Sequence, residues 1–445
     1  MTCSAISPFT GATQSAVPHY EQALHQLRCL IGDPVASVDA ALAEAPDFVM
    51  AHTLRAYLHL LGTEKPGVDV ARDSLAAAGA IPGNEAERGH LAAVAHLVDG
   101  RWHAAGRVLE DVGAADPLDG LALQIGHQID FFTGQSRMLR DRIARALPFW
   151  NETMPAYHAV LGMHAFGLEE MGEYARAELQ GRRCVELQPR DTWGQHAVAH
   201  VLEMQGRLGD GIAWMTGNVA HWSEDSFFAV HNWWHLGLYH LEQGGIDRVL
   251  ALYDGPINGG RSAVVLDMLD ASAMLWRLHL RGVDLGDRWG PIADQWEPIA
   301  GAGNYAFNDA HAMMAFVGAG RDEAAAGVLA AQRDALGRDD DNSAFTREVG
   351  HPVTRAIQAF GQGDYAGCVA LLRPVRLIAN RFGGSHAQRD VLDLTLIEAA
   401  FRAGQHDLAR ALVAERLVWK PASPLSGLFA KRAGLAVGGG WARAV

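Results

Sequence analysis

Six histidines, His196, His200, His221, His231, His235 and His240, crowd into one stretch of a chain that has 21 in all. His196, His200 and Glu203 stand at i, i+4 and i+7, so a helix stacks all three on one face. His231, His235 and Glu242, at i, i+4 and i+11, likewise share one face of a second predicted helix. Histidines at i, i+4 on facing helices are how metal centres are assembled in helical bundles, and beside carboxylates the same imidazoles serve as proton acceptors. The HExxH phrase of zinc hydrolases is absent, so the expectation is a metal-free centre that needs no cofactor. A divalent metal at His200, His231 and His235 is the alternative. The plainer reading, histidines satisfied within a core, stands beside both.

Three further phrases carry charge into apolar surroundings. LDMLDASAMLWR places Asp267, Asp270 and Arg277 on a helix that is otherwise apolar, which is costly unless those charges find partners. Asn308, Asp309 and His311 follow Tyr305, and Ser385, His386, Gln388, Arg389 and Asp390 follow a Gly-Gly bend. The catalytic candidates are therefore His200, His231 or His235 as base, Glu203, Asp267 and Asp270 as orienting carboxylates, and His386 with Arg389, the arginine clamping an anion. Trp193, His196, Trp234, Tyr305, Asn308, Asp309 and His311 are the candidate substrate-binding residues. The competing reading of these phrases is a salt-bridge network that fixes neighbouring repeats. Nucleophile signals are weak: no GxSxG elbow is present, and Cys184 reads as a small packing residue.

The elements that must position these residues recur along the chain. A glycine, a few polar or aromatic residues and a small-residue helix ending in Leu begin at Gly100, Gly172, Gly206, Gly245, Gly320, Gly363 and Gly404, at intervals of 72, 34, 39, 75, 43 and 41 residues. One helical hairpin, or two where a copy is degenerate, fills each interval. The glycine ends the first helix because it takes the left-handed cap without strain, and small residues let the second helix pack closely. The expected fold is all-α, a TPR-like α-solenoid of stacked hairpins curled around a central pocket. Its pairs run from 20–62 and 66–113 through 388–416. Residues 1–150 read as scaffold repeats, 151–420 as the repeats carrying the site, and 421–445 as an extended arm.

Composition narrows the classes. The chain has 445 residues, 49% of them hydrophobic, and a formal net charge of -14. No Lys/Arg cluster offers a face for nucleic acid or an anionic membrane. Cys3, Cys29, Cys184 and Cys368 lack CxxC spacing, so free thiols in the cytoplasm are expected. No apolar run reaches the length of a membrane span, and the first residues lack the pattern of a signal peptide.

AHVLEMQGR (199–207), HNWWHLGLYHLE (231–242), LDMLDASAMLWRL (266–278), YAFNDAHAMMAFVGAGR (305–321) and GGSHAQRDVLDL (383–394) occur in that order. Together they resemble the tetratricopeptide repeat protein 38 family over roughly residues 150–415. The resemblance implies a helical-repeat fold and brings no reaction or ligand with it. A pure scaffold repeats its polar contacts unit by unit, whereas here they gather in a few non-repeating phrases. The expected function is therefore an enzyme acting on a small organic ligand by hydrolysis or proton transfer. The alternative is a non-catalytic adaptor binding a peptide, a protein partner or a second copy of itself.

Overall fold

A computed structural model describes residues 9–435. Helices follow one another throughout, and the sole bridge of strand type among the described residues is the isolated pair Ile31 and Ser226. The expected all-α repeat fold is the observed one. No helix among the described residues is long and apolar enough to cross a membrane. The predicted thiol Cys3 and the final ten residues of the predicted arm lie outside the described residues.

The described residues form two compact units, one of residues 9–197 with 224–228, the other of 198–223 with 229–435. In the first, each helix packs on the next from Ala16–Cys29 to Tyr174–Leu187. Its hairpins have two kinds of helix. Tyr157–Glu170 is buried at every position from His158 to Glu170, whereas its partner Tyr174–Leu187 buries only Ala177, Gly181 and Cys184, a stripe at i, i+4 and i+7. A helix apolar all round needs neighbours on every side, and one with a narrow small-residue stripe needs only one. In the second unit Val265–Leu280, Ala306–Ala319 and His386–Arg402 are of the first kind.

Most of the predicted glycine caps are present: Gly100, Gly172, Gly206, Gly320, Gly363 and Gly404 all have positive φ. The exception is Gly245, because the left-handed residue of that turn is Gly244, at φ 78°. Two predicted pairs are three helices each. The span 20–62 holds Ala16–Cys29, Pro34–Glu44 and Val49–Leu61, and 66–113 holds Lys65–Gly79, Glu85–Val98 and Trp102–Ala115. The breaks come from turn chemistry that helical periodicity hides: Gly32 at φ 62° before an Asp33 N-cap, and an Asn84–Glu87 capping box. The predicted arm is corrected too, since Pro424–Arg432 is helical, started by Ser423, whose hydroxyl accepts from Ser426 N–H. Glu242 holds that start, accepting from Ser423 Oγ at 2.8 Å and Leu425 N at 3.4 Å.

Candidate functional site

Helical spacing places His231 and His235 one turn apart on Ala229–Glu242, and Glu203 one turn beyond His200 on Thr192–Met204. Within the second unit these four residues and Asp270 of Val265–Leu280 come together. His231 Nδ1 donates to Asp270 Oδ2 at 2.8 Å, and His235 Nδ1 donates to Glu203 Oε2 at 3.3 Å. Their Nε2 atoms then face each other at 3.2 Å. The His200 ring lies 4.4 Å from that of His235, and His200, His231 and His235 each bring a ring nitrogen within 4.8 Å of the others. His200 and His235 are fully buried, and the His231 side chain is 13% exposed. Burial, reinforced by the neighbouring His200 and His231, holds His235 well below the usual imidazole range and so keeps it neutral.

This geometry constrains the protons. With each Nδ1–H committed to a carboxylate, a neutral ring presents an Nε2 lone pair. The two Nε2 atoms point at one another here, a pairing met either by a proton between them or by a bound cation. Two nitrogens bound to one tetrahedral Zn²⁺ at about 2.0–2.1 Å stand roughly 3.3 Å apart. A carboxylate on the far nitrogen of each ligand is the usual outer shell of such sites, fixing tautomer and ring orientation.

One wall is aromatic and cationic. His231 stacks on Trp234 at 5.4 Å and 16°, and the Arg277 guanidinium lies 5.2 Å from the Trp234 ring centroid. Arg277 donates to the carbonyls of Ala387, at 2.6 Å, and Gln388. Burial lowers it to about 10. Beneath Glu203 sits a buried ionic group: Arg416 grips both oxygens of Asp390 at 2.5 and 3.0 Å, and Lys420 Nζ lies 3.5 Å from both Asp390 and Glu203. Burial alone would raise the Asp390 carboxyl, but Arg416 and Lys420 outweigh it and hold the group well below the usual carboxylate range. Arg416 and Lys420 escaped the sequence reading, because ERLVWKP looks like an ordinary solvated helix end. Their i, i+4 spacing was the available signal.

The remaining predicted residues make further contacts of their own. Asp267, one turn before Asp270, is raised to about 6 by burial. His311 donates from Nδ1 to the Phe307 carbonyl at 2.8 Å, and Asp309 accepts from Gln332 Nε2 at 3.2 Å. Asn308 is buried, and Tyr305 precedes the same helix with its ring 6.3 Å from Phe307. Arg389 is turned to the Gly384 carbonyl and to His386 Nδ1, at 3.4 Å from the latter. In place of the predicted Arg389, the guanidinium on the Trp234 wall is that of Arg277. Trp193 and His196 belong to the first unit, where they form an aromatic cluster with Phe166 and Phe228 at ring separations of 4.8–5.5 Å.

The first unit also holds a buried His158, Cys184 and Asp191 group that spacing does not suggest. His158 Nδ1 donates to Asp191 Oδ2 at 2.6 Å, and Asp191 Oδ1 accepts from Gly194 N–H at 2.8 Å, starting the Thr192–Met204 helix. Burial and Asp191 push the Cys184 thiol well up, so it stays protonated and serves packing.

No family model matches the chain. Among solved structures, a chain in the crystal structure of the APC/C hetero-tetramer Cut9-Hcn1 is similar over 93% of this chain and 69% of that one, at 13% identity and a TM-score of 0.45.

Proposed function

We propose that this helical-repeat protein binds one divalent transition-metal ion through His200, His231 and His235, and uses it to hydrolyse a small organic substrate. The observation that carries this reading is the 3.2 Å approach of two Nε2 atoms whose rings are each held from behind by a carboxylate. His200, His231 and His235 would hold the ion, which when bound would supply Lewis acidity and a more acidic water for hydrolysis. Glu203 and Asp270 orient the ligands, and His231 is the partly exposed member, its side chain 13% exposed. The five phrases of the sequence support membership of the tetratricopeptide repeat protein 38 family as part of the same proposal. The buried thiols Cys29, Cys184 and Cys368 suit a cytoplasmic setting.

Elemental analysis of the purified protein tests it. The expected result is about one zinc, or another first-row metal, per chain. His235→Ala loses it, and His386→Ala keeps it. Hydrolysis of a panel of small esters and amides should vanish with chelation and return with metal. A metal-free protein that folds and binds no added zinc overturns the proposal. The adaptor reading is favoured by the exposed apolar side chains Leu377, Val418 and Leu428 at 83, 66 and 62%. It stands if metal is absent and substitution of those three residues abolishes capture of a protein partner.

A further inference from the structure

The second unit contains a cavity of about 330 Å³ lined by the end of Val265–Leu280 with Arg281 and Gly282 after it, and by residues of His386–Arg402 and Pro424–Arg432. That size lies at the small end of pockets that take organic ligands, roughly 300–1,000 Å³. Four arginines line it, Arg277, Arg281, Arg402 and Arg432, against one carboxylate, Glu398. Glu398 is already engaged, paired with Arg402 at 2.7 Å and with Arg432 at 2.5 Å. The hydrogen bonds of Arg277 and Arg281 go instead to backbone carbonyls, those of Ala273, Ala387 and Gln388 for the first and of Leu241 for the second. Burial disfavours the charged form of both guanidiniums, opposed from a distance by Asp390, Glu203 and Asp270 at Arg277 and by Glu242 and Asp390 at Arg281, none of which is hydrogen-bonded to them. Carbonyl dipoles only partly compensate a desolvated cation, and a carboxylate completes what they leave undone. The rest of the wall is apolar, with Leu394, Leu425 and Phe429 among its members.

We infer that this cavity binds an amphipathic organic anion, its carboxylate between Arg277 and Arg281 and its unbranched apolar body along Leu394, Leu425 and Phe429. The two ends of the ligand follow from the two ends of the wall. Guanidinium forks match a carboxylate with paired hydrogen bonds, and methylenes buried along the apolar wall add to the binding. Inorganic phosphate satisfies the forks and leaves the apolar wall empty, while an alcohol of equal chain length does the reverse. None of the three histidines lines this cavity, and Arg281, which the metal proposal does not use, carries its test.

Calorimetric titration of the full-length protein with octanoate, acetate, 1-octanol and inorganic phosphate decides it. The expected result is saturable binding of octanoate at one site per chain, at least tenfold tighter than any of the other three. Arg281→Gln weakens octanoate at least tenfold, Phe429→Ala weakens it severalfold, and His235→Ala leaves it unchanged, all with wild-type circular dichroism. If Arg281→Gln does not fold, Arg432→Gln at the cavity's more exposed end provides a milder loss of the same sign. Octanol binding as tightly as octanoate, phosphate binding more tightly than octanoate, or no saturation at millimolar octanoate overturns the inference.

Discussion

Asp309 shows how one buried carboxyl sets a pH dependence. Burial raises it to about 7, opposed weakly by the Gln332 hydrogen bond and by Arg338. Gln332 is itself held by Thr354 Oγ1 at 2.9 Å and by His351 Nδ1 at 3.0 Å, so the acceptor side of the network is fixed. The folded chain keeps a proton here that the unfolded chain releases above about pH 4. Between about pH 4 and 7 the native state therefore binds more protons, and the destabilisation grows through that window, constant above it and absent below it. Asp309→Asn keeps an acceptor for Gln332 and removes the ionisation. Its melting temperature should exceed that of the wild type at pH 8, by the equivalent of at most about 4 kcal/mol, and meet it at pH 4. An equal difference at both pH values would show that the ionisation is not the cause. At this scale, helical spacing was enough to place His200, Glu203, His231 and His235 on shared faces. What spacing cannot rank is which cation ends nearest: Arg389 and Arg277 look alike in sequence, and only the turn of each side chain toward Gly384 or Trp234 separates them.

Helix ends decide how the elements join. The Asn84–Glu87 box satisfies two N–H groups reciprocally, Glu87 N to Asn84 Oδ1 at 2.9 Å and Asn84 N to Glu87 Oε2 at 2.8 Å. The second Glu87 oxygen accepts from Thr10 N at 2.8 Å, so this side chain ties a loop 77 residues away to the same helix start. Asn84→Ala should cost about 1 kcal/mol. Glu87→Ala should cost more, roughly 2–3 kcal/mol, because two backbone donors lose their acceptor together. Urea midpoints at equal slope give the ranking, and a larger loss in Asn84→Ala would contradict it. The hairpin rhythm was readable because a left-handed glycine closes most first helices. The three-helix spans were not, because turn and capping residues such as Gly32–Asp33 and Asn84–Glu87 make breaks that helical periodicity does not mark.

On the scale of the molecule, the repeat rule that each hairpin meets only its neighbours is broken inside the second unit. Val265–Leu280 packs on His386–Arg402, and Arg277 reaches the Ala387 carbonyl 110 residues along the chain. Periodicity in sequence predicts stacking of adjacent pairs and says nothing of such a closure, which is why the fold class was legible and the membership of the site only partly so. The Asp390–Arg416–Lys420 group lies at that closure, and removing one partner of a buried pair costs about 3–5 kcal/mol. Asp390→Ala should therefore speed amide exchange across 386–432, while helices of the first unit from 16 to 187 keep their protection. Uniformly faster exchange through both units would count against a local role for the group.

The helix Tyr157–Glu170, with no face left for water, also has a history during synthesis. As it leaves the ribosome it is a sticky segment that must wait for Tyr174–Leu187 to cover it, at roughly 5–20 residues per second. A stalled nascent chain that exposes residues up to 172 should recruit a holding chaperone, and one extended past 190 should release it.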